Sequence, residues 1–250
     1  MKSGVVFIAR NNNSIDYVKQ AAFNATRIKK YLDLPVSLIT DTNSQDSVYL
    51  DVFENIITIP DSTLHSRRTF KDGTILKKDD FKNTERSLVY DLTPYDQTLL
   101  LDTDYIISND IFKSCFVQPH DFLIYSGGVE VTGTKNTEEF DYITKTGPRF
   151  YWATAIFFRK TQKTNLLFEL TKHIQQNGSH YVNLYQIPSS LIRNDFIFSI
   201  AIHILNGHQA GNFAKSMPGT MFYTIDQDEL LSLADDKFTF FSNKEQRVSN

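Results

Sequence analysis

The chain has almost no cysteine: Cys115 is the only one in 250 residues. It cannot close an internal disulfide and cannot by itself build a structural zinc site, so it fits a reducing compartment or a small hydrophobic role. Excess charge of either sign is also missing. With a net charge of −3 and a pI near 6.1, no global basic field attracts nucleic acid or an anionic bilayer, and neither is expected as a partner. Long hydrophobic runs are absent. Residues 5–9 are too few for the apolar core of a signal peptide. Residues 196–205 are about half of the ~20 needed to span a bilayer and include Ser199 and His203. The expectation is a soluble, cytoplasmic protein without an integral membrane segment. No repeat, low-complexity block or linker divides residues 1–250, which are predicted to form a single domain. Their 41% hydrophobic content suffices for a sizeable core.

What is present is an alternation of strands and amphipathic helices, the pattern of an α/β sandwich. Residues 5–9 are predicted as a first strand. Ser14 is placed to cap a helix in which Ile15, Val18, Ala22, Ala25, Ile28 and Leu32 recur at helical spacing before Pro35. Residues 36–40 read as a second strand and 55–59 as a third, with a polar loop over 61–83. Thr84 is placed as the cap of a helix to Leu92. Strands are then predicted over 98–107, 121–125 and 150–158, helices over 164–176 and 190–205, and late strands over 220–225 and 237–241 around a small helix.

The central segment is Thr98-Leu99-Leu100-Leu101-Asp102-Thr103-Asp104-Tyr105-Ile106-Ile107. Its apolar residues predict a buried strand, and a buried carboxylate is costly unless a cation or hydrogen bonds meet it. Side chains at i and i+2 leave a strand on one face, so Asp102 and Asp104 could address one divalent metal and the phosphates it carries. A plain alternative is a strand that ends at a solvated Asp-x-Asp turn. Another is a haloacid-dehalogenase-like phosphatase, with Asp235-Asp236 as its later acidic pair. In a parallel α/β sheet ligands gather at the carboxyl ends of strands, a rule that nominates Arg10, Asn11, Asp41 and residues 102–104. Each has an ordinary reading as a strand-end turn residue.

Residues 88–104, Leu-Val-Tyr-Asp-Leu-Thr-Pro-Tyr-Asp-Gln-Thr-Leu-Leu-Leu-Asp-Thr-Asp, resemble the helix, Pro turn and D-x-D strand of GT-A-type nucleotide-sugar glycosyltransferases. The similarity is to the glycogenin and lipopolysaccharide-galactosyltransferase branch and to phage-borne glycosyltransferase-like proteins. It implies a GT-A, Rossmann-like α/β/α sandwich with a mainly parallel central sheet. It also implies Mn²⁺ or Mg²⁺ held by Asp102 and Asp104, a nucleoside diphosphate sugar donor, UDP before other bases, and an unknown glycan, lipid or protein acceptor.

The same resemblance assigns donor contacts to Ala9, Arg10, Asn11, Asp41, Arg86, Asp102, Thr103, Trp152 and Thr154. Arg10 would neutralise a pyrophosphate, Asp41 would accept from a uracil N–H or a ribose hydroxyl, and Arg86 would clamp a sugar hydroxyl or phosphate. Residues 150–160 are similar to the strand that sets small residues against the sugar, but Trp152 and Ala153 replace the usual Asn and small residue. Trp152 could stack on a sugar, although a lone Trp beside Phe and Tyr is more often core. Arg193-Asn194-Asp195 resembles the acidic motif at a helix start, which makes Asp195 the catalytic candidate. The late His that usually supplies a third metal ligand has no counterpart after His208, leaving either Asp226 or Asp228 as a substitute or a metal held by the two aspartates, phosphate and water. His173 and His203 are expected to be structural, whereas His180 and His208 flank predicted turns. The altered Trp152 segment and the missing ligand motivate a second reading, a sugar-nucleotide or glycan-binding protein that kept the fold without turnover.

Overall fold

The computed structural model describes residues 1–45, 47–60, 66–72, 75–130, 141–145, 147–187, 192–223, 232–233, 238–241 and 247–249. Strand β1, Ser3–Ile8, is buried along Val5 to Ile8 and pairs in parallel with β2, Val36–Thr40, which pairs in parallel with β3, Asn55–Thr58. Helix α1, Tyr17–Tyr31, makes the crossover between β1 and β2. Its cap is Asp16, whose side chain accepts from the Lys19 N–H, and not Ser14. Two fully buried strands side by side need apolar residues on both faces, which explains why Val5-Val6-Phe7-Ile8 runs unbroken instead of alternating.

The segment expected as a loop over 61–83 contains a hairpin, β4 (Ser66–Asp72) with β5 (Ile75–Phe81), paired from Ser66–Phe81 to Asp72–Ile75. A 3₁₀ turn at Arg86–Leu88 continues into the short α2, Val89–Leu92. The capping position of the 3₁₀ turn is Glu85 and that of α2 is Leu88, neither with a side-chain cap bond, so Thr84 is not the cap. Strand β6, Gln97–Leu101, then enters the sheet beside β1. It stops at Leu101: residues 102–104 leave the strand in a turn closed by Tyr105 N–H donating to the Asp102 carbonyl (3.1 Å). The expected continuation to Ile107 is therefore corrected. Asp at a strand end competes with sheet pairing, as the plain turn reading anticipates.

Helix α3 is Lys113–Val117, β7 is Phe122–Tyr125 and β8 is Val129–Glu130. Strand β9, Trp152–Arg159, is the long central strand of this half. Helix α4, Gln162–Gln176, begins with a reciprocal Thr161–Thr164 capping box two residues before the expected start. Helix α5, Gly178–Leu184, follows directly and was unanticipated, because Asn177-Gly178 looks like a stop. Helix α6 is Asn194–Leu205; the expected start at Ser190 lies outside the described residues. Strand β10, Phe222–Tyr223, pairs with β8. Strand β11, Ser232–Leu233, pairs with β12, Phe238–Phe241, and β12 with β13, Arg247–Ser249, so Ser232 and Leu233 are in a strand and not the expected small helix. Asp226, Asp228, Asp235 and Asp236 lie outside the described residues.

The main sheet has the order β3-β2-β1-β6-β9-β7. β9 runs antiparallel to both β6 and β7, so five strands share one direction and β9 alone opposes them. Helices cover both faces. Phe158 packs on Phe168 of α4 (4.7 Å between ring centres), Phe157 on Phe116 of α3 (5.1 Å), and successive strand residues address opposite faces. The result is an α/β/α sandwich with a mainly parallel sheet. No helix among the described residues is long and apolar enough to cross a membrane.

Candidate functional site

Five strands bring their carboxyl ends to one edge of this sheet, and β9 brings its amino end there. The chain steps outward from β1 to β2 and β3 and then returns to the other side of β1 as β6, so the order reverses between β1 and β6. A crevice at the carboxyl ends beside such a reversal is where open α/β sheets bind ligands. Ala9, Arg10 and Asn11 follow β1 on one side of it, and residues 102–104 follow β6 on the other.

The turn after β6 is held from two directions. Asp102 N–H donates to the Thr154 carbonyl of β9 (2.8 Å). From α1, Asn24 Nδ2 donates to the Thr103 carbonyl (2.7 Å), Thr103 Oγ1 donates to Gln20 Oε1 (3.1 Å), and Arg27 Nε donates to the Ile107 carbonyl (2.5 Å). Thr103 is thereby buried, while the Asp102 side chain is 33% exposed and Asp104 is exposed. Although the strand geometry predicted for the pair is absent, the turn still sinks its middle residue and leaves both carboxylates outward.

Two arginines at this edge are each paired with a carboxylate. Arg86 pairs with Asp102, and Arg10 with Glu85. Arg10 is wholly buried, and its N–H donates to Asn83 Oδ1 (2.8 Å). Its Nε and Nη1 find no acceptor among the described residues. Asp41, also wholly buried, uses Oδ1 to accept from the Ser44 N–H (2.9 Å), while Oδ2 has no partner among the described residues. Ser44 Oγ in turn accepts from the Asn11 N–H (2.9 Å), tying the ends of β1 and β2 together. Buried polar atoms are rarely left unpaired, and such atoms at a ligand edge mark places where a ligand or water completes the bonding.

The other expected residues are distributed as follows. Ala9 is buried, donates its N–H to the Ile39 carbonyl (3.0 Å) and accepts from Thr40 Oγ1 (2.6 Å), serving the edge through its backbone. Thr154 contributes the carbonyl that holds Asp102. Trp152 is only 8% exposed, edge-on to Phe150 (5.1 Å) and against Tyr223 (4.8 Å), so its ring belongs to the core. Asp195, in the first turn of α6, accepts from the Ala153 N–H (2.9 Å) with Oδ1 and from Arg193 Nη2 (2.7 Å) with Oδ2. It fastens the start of β9 to α6 beside the same edge. His180 sits in α5 and not at a turn, and His208 packs on His203 (5.3 Å) just past α6. Glu85, Asn83, Asn24 and Gln20 were missed: their roles depend on partners 73 to 83 residues away in the chain, which no local pattern announces.

No group of three or more His, Cys, Asp or Glu side chains capable of holding a metal ion assembles among the described residues. Asp102 and Asp104 nevertheless offer two hard oxygen donors from one turn. Mg²⁺ is usually held by one or two carboxylates with waters and substrate phosphates completing the octahedron, and this donor set fits that arrangement.

The strand order, the reversal beside β1 and the outward D-x-D turn define a GT-A α/β/α fold. Among solved structures, an active-site mutant of LgtC superposes with a TM-score of 0.51 at 11% identity, over 88% of this chain and 72% of that one. Galactosyltransferase LgtC with donor and acceptor sugar analogs gives 0.49 at 11% identity over 88% and 73%, and mouse xyloside xylosyltransferase 1 gives 0.47 at 10% identity over 89% and 84%. At such identities the likeness is one of fold. No family model matches the chain, and no curated protein matches it in sequence.

Proposed function

We propose that the chain is a glycosyltransferase that moves a sugar from a nucleoside diphosphate sugar, with UDP as the carrier, to a hydroxyl of an acceptor. The observation that carries this is the Asp102-Thr103-Asp104 turn, pinned by α1 and β9 at the reversal point of a GT-A sheet with its two carboxylates outward. Mn²⁺ or Mg²⁺, when bound by Asp102 and Asp104, would offset charge on the diphosphate. Arg86, paired with Asp102, and Arg10, paired with Glu85 at the end of β1, would stabilise a leaving group that grows more negative where a diphosphate oxygen joins or displaces those carboxylates. The single free oxygen of Asp41 suits a base with one N–H on its recognition edge, as uracil has. Guanine presents two neighbouring donors and would need both carboxylate oxygens.

In the proposed reaction an acceptor oxygen bonds to the anomeric carbon, and the bond from that carbon to the diphosphate oxygen breaks. The bonding electrons leave on the nucleoside diphosphate, and the hydroxyl proton passes to a carboxylate. Asp195 is the candidate for that carboxylate; each of its oxygens accepts one bond at present and keeps a second lone pair for the proton. The GT-A fold leaves the haloacid-dehalogenase reading, which belongs to a different fold, without support.

A second reading is favoured by a specific observation: Asp102 is engaged by Arg86 and both oxygens of Asp195 are in use, an arrangement compatible with a protein that binds donor without consuming it. Release of UDP from UDP-glucose and UDP-galactose with Mn²⁺ separates the two. The enzyme reading predicts slow release even without acceptor, reduced on the order of a hundredfold in Asp104→Ala. Binding of the donor with no release in wild type would favour the binding protein.

A further inference from the structure

One strand beyond β9 on the same edge, a shallow, solvent-open polar cavity of about 320 Å³ lies at the carboxyl end of β7. Tyr125 forms part of its wall, with Ser126, Gly127, Arg149, Ser216 and Thr220. Tyr125 Oη lies 3.2 Å from the hydroxyl of Tyr105, the residue after Asp104, and donates to the Pro218 carbonyl (3.0 Å). β7 and β6 are separated only by β9, so the cavity stands roughly 10 Å from the D-x-D turn, two strand spacings away.

The lining has a definite chemistry. Arg149 is exposed, and among the described residues no carboxylate pairs with its guanidinium. Its backbone is nevertheless fixed, in a bridge with Tyr142 flanked by hydrogen bonds from Ile143 to Pro148 (2.9 Å) and from Phe150 to Asp141 (2.9 Å). The guanidinium therefore extends on a long side chain from a fixed point of the wall. Ser126, Ser216 and Thr220 add hydroxyls, and open space faces the position a Gly127 side chain would take, so ligand atoms can approach the backbone there. Val129, 45% exposed, and Met221 give the wall an apolar flank. Hydroxyl partners, an apolar flank and a guanidinium without a carboxylate partner among the described residues match a sugar that carries a negative substituent.

We infer that this cavity is the acceptor subsite and that the acceptor is a sugar bearing an anionic group, phosphate or carboxylate, gripped by Arg149. The assignment as acceptor rests on the glycosyltransferase reading; the anion preference of the cavity rests on Arg149 alone.

Calorimetric titration of the full chain with glucose 6-phosphate, glucuronate, glucose and inorganic phosphate tests it, with wild type, Arg149→Gln and Arg149→Lys compared. At least one of the two anionic sugars should bind at least tenfold more tightly than both glucose and inorganic phosphate, and which one does so identifies the group. Arg149→Gln should lose roughly tenfold for it while Arg149→Lys keeps part of the affinity. UDP with Mn²⁺, titrated into the same proteins, should bind wild type and Arg149→Gln alike. Equal binding of the anionic sugars by Arg149→Gln, or inorganic phosphate binding as tightly as either anionic sugar, would overturn the inference. Arg149-dependent sugar binding without any UDP binding would keep the anion site and overturn its role as an acceptor subsite. UDP binding without anionic-sugar binding would overturn the cavity assignment and leave the donor site standing.

Discussion

Glu85 is the acidic partner of a guanidinium that has no exposure of its own, so the charge at the end of β1 depends on it. Removing one partner of a buried pair leaves the other uncompensated, which costs about 3–5 kcal/mol. Glu85→Ala is expected to lower the unfolding free energy by that amount, read as a lower denaturant midpoint at an unchanged slope. Glu85→Gln, which retains an acceptor, should lose less, and equal midpoints for both variants and wild type would disprove the dependence. Gly4 makes a second residue-scale case. A Cβ there would overlap the ring of Tyr95, whose hydroxyl is 2.7 Å from Ser37 Oγ, so Gly4→Ala should cost about 1–3 kcal/mol by overpacking. A thermal melt unchanged from wild type would contradict it.

At the scale of elements, α1 is the clamp on the candidate site. Asn24 is buried, donates to the Thr103 carbonyl and accepts from the Ile107 N–H (3.4 Å), spanning the turn that carries both aspartates. Asn24→Ala should lose about 1–3 kcal/mol of stability and weaken metal-dependent nucleotide binding, because the turn would no longer be held in one geometry. Loss of stability with unchanged nucleotide affinity would show that the clamp is structural only.

The elements were legible to different degrees. β2 was read with its exact limits because Val36-Ser37-Leu38-Ile39-Thr40 is bounded by Pro35 and Asp41. Helices α1 and α4 announced themselves through apolar spacing. The D-x-D strand was overextended because Tyr105-Ile106-Ile107 is as apolar as the strand before it, and only the tertiary bonds from Asn24, Gln20 and Arg27 reveal a packed loop there. The hairpin β4–β5 was hidden because its Lys- and Asp-rich residues lack a strand's apolar alternation. Of the candidate site, the residues at strand ends were readable from topology alone. Their counter-ions were not, because Arg10 meets Glu85 and Arg86 meets Asp102 through the fold.

For the whole molecule, burial of ionisable groups sets a pH dependence. Burial pushes the Cys115 thiol up to about 12 from its ordinary 9.0 and raises the hydroxyls of Tyr125, Tyr105 and Tyr95 above 10.0. These groups bind their protons more tightly when folded, so their contribution is fully present below the unfolded values. For Cys115 it is lost as pH climbs from about 9 to about 12. Burial and the neighbouring His208 lower the His203 value below 6.5, so its contribution is present above 6.5 and lost as pH falls through the folded value. Unfolding free energy measured from pH 5 to 11 should fall at both ends, and Cys115→Ala should flatten the alkaline limb. A steeper alkaline limb in that variant would contradict the assignment.

In the whole molecule the outward D-x-D turn sits at the sheet reversal, where donor binding is proposed. Isothermal titration calorimetry with UDP and GDP, each with and without Mn²⁺, on wild type and Asp104→Ala tests it most directly. Asp104 is exposed, so its substitution should shift stability by no more than about 0.5 kcal/mol and leave the fold intact. The account predicts Mn²⁺-dependent binding of UDP in wild type, weaker binding of GDP, and loss of the metal dependence in Asp104→Ala. Absence of binding for both nucleotides under every metal condition, or binding indifferent to Asp104, would contradict it.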